Sequence, residues 1–415
     1  MTEQTRQRED VANTGAPMLP RAGAGSAWEV FIAFLRLGLT SFGGPVAHLG
    51  YFRAEFVDRR KWTDERSYAD LVALCQFLPG PASSQVGMAL GMQRAGWLGA
   101  LSAWAGFTLP SALALIAFAY GVALDSALAS SGAVRGLKIV AVAVVAQAVW
   151  GMARTLCPDL TRAALAIGAS LLVLALPAAV TQVAVIVACG LGGAAWVKLA
   201  NEPAVTHAGY GVSRRAATVA LVGFGLLLVG LPVAQAVAPA QWLAMVEGFY
   251  RAGALVFGGG HVVLPLLQST VVTPGWVVAD AFLAGYGAAQ AVPGPLFTFA
   301  AYLGTVAQGP LTGWIGGLAM LVAIFVPAAL LVLGALPFWD AWRQHAAARS
   351  TMAGINAGVV GILLAALYDP VWTSAIHNRT DFALGLAAFG LLVVGRVSPV
   401  YVVGIAALGG WALHA

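Results

Sequence analysis

The sequence predicts an all-α polytopic membrane protein: two inverted homologous repeats of about six hydrophobic segments each, joined by one extra helix. Three observations carry that prediction. The composition is too apolar for a soluble fold, an ordered set of motifs occurs twice, and basic residues crowd one copy of a loop region while leaving the other bare.

Composition comes first. Of 415 residues, 60% are hydrophobic and 9% are charged, whereas a soluble domain carries about 25% charged residues to cover its surface. Residues 97–124, 163–197 and 216–246 contain no Asp, Glu, Lys, Arg or His, and about 20 apolar residues suffice for a helix to cross the hydrocarbon core. The 50 glycines suit helices that approach closely in lipid. A net charge of +5 reads as basic cytoplasmic loops in such a chain, not as a nucleic-acid surface. Cys75, Cys157 and Cys189 form no CxxC and no Cys/His cluster, so neither a metal site nor any cofactor is implied, and they read as small packing residues. Residues 1–25 are polar and of mixed charge, with no apolar stretch leading to a cleavage site. They read as a disordered cytoplasmic tail rather than a signal peptide.

The repeat is ordered along the chain. Arg36-Leu-Gly-Leu-Thr-Ser-Phe-Gly-Gly44 returns as Arg251-Ala-Gly-Ala-Leu-Val-Phe-Gly-Gly259, and Trp62 as Trp276. Gln76-Phe-Leu-Pro-Gly-Pro81 returns as Gln290-Ala-Val-Pro-Gly-Pro295, Gly96-Trp97 as Gly313-Trp314, and Pro110 as Pro327; Trp150 matches Tyr368, and Pro177 matches Pro399. The offset stays between about 214 and 222, which chance does not supply in series. Residues 37–111 carry Arg53, Arg59, Arg60, Lys61, Arg66 and Arg94, while residues 252–342 carry no Lys or Arg. Basic loops stay in the cytoplasm, so homologous loops of opposite basic content lie on opposite faces. The domains read as an N-terminal repeat over 26–200, a linker with one extra transmembrane helix over 201–240, and an inverted C-terminal repeat over 241–415.

About thirteen apolar segments result, and the first two of each half read as broken or re-entrant at Phe-Gly-Gly and Pro-Gly-Pro rather than as full crossings. If the first two segments of each half are broken or re-entrant, the basic loops at 53–66, 154–162, 198–215 and 343–349 all fall inside. If every segment crosses once, at least one of those loops lies outside.

The breaks are also where chemistry is expected. Pro79-Gly80-Pro81 and Pro293-Gly294-Pro295 interrupt apolar segments, because proline removes a backbone donor and clashes with the preceding turn. Paired interruptions at matching places point to a transporter's binding site. Ser83, Ser84 and Gln85 follow the first break and Thr298 the second, near the starts of new half-helices whose free N–H groups attract anions. The bland reading is a pair of structural kinks. Gly43, Gly44, Gly258, Gly259 and Gly260 form a second pair of breaks, either an anion-holding backbone concavity or simply close packing. Arg36 and Arg251 are the repeat-related cations inside apolar segments, where charge is costly. Each is read as an oxyanion contact, or else as a residue that reaches the interface or pairs with Glu29 or Glu247. His48 and His261 lie just past the glycine breaks as substrate or proton groups, with a satisfied structural histidine as the rival reading. Gln76 and Gln290 precede the Pro-Gly-Pro breaks and offer ligand bonds or caps. The run from Arg53 to Trp62 reads as a cytoplasmic anchor that concentrates anions, and Asp369, His377, Arg379 and Asp381 as a solvated loop.

These motifs resemble the chromate ion transporter family in its long, two-domain form. Gly38 to Gly44 with Pro79-Gly80-Pro81, and Gly253 to Gly259 with Pro293-Gly294-Pro295, match its pattern of Gly-x-x-x-Phe-Gly-Gly followed by Pro-Gly-Pro in each half. The resemblance spans nearly all of residues 28 to 413. It implies a multi-pass carrier of the cytoplasmic (inner) membrane that exports chromate and confers resistance. Sulfate is the chemical mimic, protons the candidate coupling ion, and a homodimer an open assembly. Uptake of sulfate or another oxyanion is the competing transport reading. A membrane-embedded lipid-modifying enzyme is disfavoured, since HExxH, GxSxG and Asp-rich motifs are missing from the sequence, as is a phosphate-binding loop.

Overall fold

The computed structural model describes residues 25–124, 132–176, 179–198, 212–257, 260–339 and 345–414. Most of the tail, the segment 199–211, Gly258, Gly259 and Arg343 therefore lie outside the described residues, as does any expectation attached to them. The described elements are helical. The first repeat holds α1 (Ala27–Thr40), α2 (Gly44–Phe52), α3 (Glu65–Phe77), α4 (Ala82–Leu124), α5 (Gly132–Leu156), α6 (Leu160–Ala175) and α7 (Ala179–Trp196). The helix α8 (Arg214–Val237) follows, and then α9 (Gln241–Ala254), α10 (Val263–Val271), α11 (Ala279–Ala291), α12 (Phe299–Val306), α13 (Gly313–Ala335), α14 (Ala346–Ala366), α15 (Arg379–Val393) and α16 (Pro399–His414). Side-chain oxygens start several of them: Ser26 caps α1, Asp64 α3, Asp159 α6, Ser213 α8 and Asn378 α15.

Polar contacts show how the interrupted segments run. Glu29, near the start of α1, lies 3.1 Å from Arg94 and 3.9 Å from Arg60. Arg60 follows α2, and Arg94 ends the first part of α4, just before the break at Ala95 and Gly96. The start of α1, the loop after α2 and the end of this first part of α4 therefore share one face. Each pair, α1–α2 and α3–α4, enters and returns as a re-entrant hairpin. The second half repeats the plan: the Gln241 side chain donates to the Gln308 carbonyl at 2.7 Å, and Gln308 N–H donates to the Trp276 carbonyl at 2.9 Å. Of the two topologies the sequence allowed, the structure has the re-entrant one.

The rest of α4 then crosses. Over residues 97–120 it rises about 36 Å and brings the Tyr120 hydroxyl within 2.9 Å of Trp314 N–H, beside the base of the second set of hairpins. The two bases thus lie at opposite ends of α4, one basic and one nearly free of charge, as inversion requires.

Beyond the hairpins the halves exchange helices. α15 and α16 of the second repeat pack on α5 of the first, while α6 and α7 of the first pack on α14, the counterpart of α5. Glycine makes both crossings close: a Cβ on Gly410 would stand 2.7 Å from Gly136 Cα, and one on Gly193 would stand 2.6 Å from Gly354 Cα. The helix α8 rests on α9 and α13 and turns Val222, Leu226 and Val229 outward, a surface suited to lipid.

One expectation is corrected. Asp381 does not sit in a solvated loop. It is fully buried in the first turn of α15, 2.8 Å from Arg135 on α5, and it accepts the His377 N–H at 3.1 Å. A carboxylate this buried needs such partners, and Arg135 lies far away in sequence.

Candidate functional site

The four breaks meet at their tips. Gly80 N–H donates to the Val256 carbonyl at 2.6 Å, and Gly294 N–H donates to the Ser41 carbonyl at 2.9 Å. Gly80 and Gly294 are repeat partners, and so are Ser41 and Val256. The glycine of each Pro-Gly-Pro thus bonds the residue just before the Phe-Gly-Gly of the other half. Only glycine suits these positions: φ is +118° at Gly80 and +91° at Gly294. A Cβ would also press on Ala328 Cβ at 3.0 Å in the first case and on Ser111 Oγ at 2.5 Å in the second.

The prolines leave carbonyls without helical donors, and neighbouring side chains supply them. The Gln85 amide donates to Pro79 O at 2.9 Å, the Ser111 hydroxyl donates to Pro293 O, and the Thr298 hydroxyl donates to Pro295 O at 2.8 Å. Thr298 is accordingly engaged in holding its own break. The amides of Gly80 and Gly294 are likewise occupied by the cross-repeat bonds, which leaves backbone donors to the helical starts beside them, those of α2 and α4 among them.

Around this junction lie buried polar atoms without partners among the described residues: Ser41 Oγ, Ser84 Oγ, Gln85 Oε1 and Thr108 Oγ1. Such atoms cost about 1–3 kcal/mol each when left unpaired, and a cluster of them marks where a polar ligand or water fits. His48 is held with Nδ1 3.4 Å from Ser83 Oγ and its ring edge-on to Phe107. His261 Nδ1 stands 2.9 Å from the Tyr286 hydroxyl. A cavity of about 30 Å³ opens between Gly43, Gly44 and Pro45 of the first repeat and His261, Gln290 and Gly294 of the second, a space for a water or two.

Not every expected residue converges here. Arg251 is bound to Glu247 one turn earlier, at 2.8 Å, which is the bland reading of that residue. Arg36 has Ile32 in place of that glutamate; it is exposed on the same stripe of α1 as Ile32 and Leu39 and has no ionic partner among the described residues. Gln76 is exposed, whereas its counterpart Gln290 borders the cavity. Gly43 and Gly44 line that cavity, and Gly260 packs beside Pro45. Ser41, Thr108 and Ser111 were not singled out from the sequence. Their one signal was position, next to the duplicated Phe-Gly-Gly and around Pro110 in a repeat-matched helix.

The basic face is largely self-neutralised. Arg53 pairs with Asp58 and Glu65, Arg59 and Arg60 with Glu55, and the guanidinium groups of Arg60 and Arg94 both lie over the Trp62 ring. Burial raises the Glu55 pKa, but the hydrogen bonds from Arg59 and Arg60 outweigh it and hold the carboxyl below its usual value. Lys61 and Arg66 remain exposed without acidic partners among the described residues.

Comparison with known proteins agrees with the duplicated plan. The family model described as chromate transporter matches twice, over residues 28–194 and 243–411. The chain is 29% identical to a chromate transport protein of Pseudomonas aeruginosa over 402 residues, covering 92% of this chain and 91% of that protein. It is 27% identical to a chromate transport protein of Cupriavidus metallidurans, covering 92% of each. A probable chromate transport protein of Synechococcus elongatus is 27% identical, with 86% of this chain and 87% of that protein covered. No solved structure matches. The two family matches together take in most of the sequence, and the chain belongs to the chromate transporter family.

Proposed function

We propose that the protein exports chromate from the cytoplasm across the inner membrane, that the dianion is held where the four re-entrant tips meet, and that the outcome for the cell is chromate resistance. The observation that carries this reading is the cluster of unpartnered buried donors around two reciprocal backbone bonds. Hydroxyls of Ser41, Ser84 and Thr108, the Gln290 amide, His48 and the first-turn amides of α2 and α4 supply neutral hydrogen-bond donors to a tetrahedral oxyanion. Helix N-termini bind such anions without a formal positive charge, and a neutral site releases its ligand more readily than an arginine clamp. Arg36 is the exposed cation closest in sequence to the junction, and it serves to draw the dianion in. Arg251, already paired with Glu247, acts in structure.

Direction follows from charge. The base carrying Arg53, Arg59, Arg60, Lys61 and Arg66 is the cytoplasmic one; Lys61 and Arg66, exposed there without acidic partners among the described residues, gather anions at the mouth from which they leave the cell. The repeats at 26–200 and 241–415 act as the two exchanging units, the linker helix supplies the crossing that inverts the second, and protons are the coupling ion. Sulfate has the same shape and charge and competes for the same donors. The test is chromate flux into energised everted vesicles bearing the protein. Uptake that sulfate inhibits supports the reading, and well-inserted protein that moves sulfate but not chromate sends the assignment to sulfate transport.

A further inference from the structure

The two repeats are built alike but are not docked alike. In the second, α11 is buried from Phe282 to Ala289 and packs on α5 and α16. Asp280 pairs with Lys138 of α5 at 2.9 Å. Gly287 sits so close to α5 that a Cβ would stand 2.9 Å from the Leu137 carbonyl carbon. In the first repeat α3 occupies the corresponding place, yet its main contacts are with α4 and the turn before it. The residues corresponding to Asp280, Leu283, Gly287 and Gln290 are Arg66, Ala69, Ala73 and Gln76, and all four are exposed. They form one stripe of α3, running from the basic face to the Pro-Gly-Pro break.

This stripe does not have the character of a lipid-facing surface. Where helices of this protein turn large side chains outward they show Ile167, Leu171 and Leu174 on α6, or Val222, Leu226 and Val229 on α8. Small and polar residues instead suit either water or the close approach of another helix. The counterpart of α5 in the second repeat is α14, where Ile355 and Asn356 stand in the places of Leu137 and Lys138. Asn356 Oδ1 is a buried acceptor without a partner among the described residues, and Arg66 is an exposed donor without one. The acid–base pair that locks the neutral face has its counterpart on the basic face in a cation and an amide, both idle.

We propose that the structure is one of two states exchanged between the repeats. In it the neutral face is shut by α11 on α5 and the basic face is open along α3. In the other state the Arg66–Ala69–Ala73–Gln76 stripe docks on α14 across Ile355 and Asn356, while Asp280 leaves Lys138 and α11 swings off α5. The inference rests on the transport reading above and adds the moving element, its docking face and the latch. Because an ion pair holds one gate and a neutral amide the other, the open-to-basic-face state is favoured at rest. A second copy of the chain is the competing occupant of the stripe.

The test uses the full chain in membrane vesicles, with Cys75, Cys157 and Cys189 replaced by alanine, and a short bismaleimide. Ala73→Cys with Ile355→Cys should give an intramolecular link, and Lys138→Cys with Asp280→Cys, although it lacks the ion pair, should link whenever α11 rests on α5. Adding Lys138→Ala to the first pair removes the latch and should raise its rate of linking about fivefold. Efficient linking at Lys138→Cys/Asp280→Cys certifies the fold of the background. With that control positive, no intramolecular link between positions 73 and 355, or a link joining two chains instead, overturns the proposal. Linking that forms while chromate flux is absent would leave the gate standing and the substrate assignment refuted, so the two readings fail separately.

Discussion

The exchange of helices between the halves makes a sharp demand at two glycines. Gly193 on α7 and Gly410 on α16 are repeat counterparts, and each crosses the central helix of the opposite half where a Cβ would meet backbone atoms at 2.6 Å and 2.7 Å. Carbon atoms that are not bonded rest at about 3.5–4.0 Å, so Gly193→Ala or Gly410→Ala must push two helices apart by close to 1 Å. The neighbour is backbone and cannot rotate aside. Overpacking of this kind costs about 1–3 kcal/mol, which at about 2 °C per kcal/mol lowers the midpoint by about 2–6 °C. The assay is thermal unfolding of purified protein in detergent, read by loss of the monodisperse peak. Gly223→Ala is the control: it lies on α8 with nothing within 4 Å of the added carbon, so it leaves the midpoint unchanged or raised. Equal midpoints for all three variants would refute the exchanged packing. A loss at Gly193 without one at Gly410 would refute its symmetry.

Four further outcomes follow. Arg135→Ala takes the cation from a fully buried carboxylate at Asp381 and should cost about 3–5 kcal/mol, seen as loss of folded protein; Arg135→Ala with Asp381→Asn should recover part of it. Arg36→Ala should cut chromate flux severely at normal membrane yield, whereas Arg251→Ala should lower yield by freeing Glu247, and equal flux in Arg36→Ala removes that residue from the path. The lowered pKa of Glu55 means its contribution is present above the unfolded value of about 4.5 and is lost as pH falls through the lower folded value; protease protection of the 53–66 loop should weaken there in the native chain, and Glu55→Gln should remove that step. Single cysteines at Asp58 and Thr273 should label from opposite sides of the membrane, and labelling from one side ends the inverted topology.

Much of this architecture was legible because its signals are local or periodic. Pro-Gly-Pro and Phe-Gly-Gly break helices wherever they stand, duplication betrays the repeat, and basic residues report the face of each loop. What escaped is tertiary. Nothing near Arg135 announces that Asp381 will lie against it, and nothing in α5 or α14 says that each recruits its neighbours from the opposite half. The candidate site divides the same way. The sequence picked out the breaks, but not that the Gly80 and Gly294 amides would be spent on cross-repeat bonds. It treated Arg36 and Arg251 as equals, although Glu247 faces one and Ile32 stands in that place for the other. It passed over Ser41, Thr108 and Ser111, which are ordinary residues until the tips converge on them.

The central claim is that the oxyanion rests on the unpartnered donors at this junction. Its most direct test is the KM for chromate in everted vesicles, measured for the native chain and for Ser84→Ala and Thr108→Val at matched protein level. A hydrogen bond to a charged ligand contributes about 1.5–3 kcal/mol, so each variant should raise KM by about 10-fold to 150-fold while sulfate inhibition weakens in parallel. An unchanged KM in both variants, with transport intact, would contradict the account and place the substrate elsewhere in the molecule.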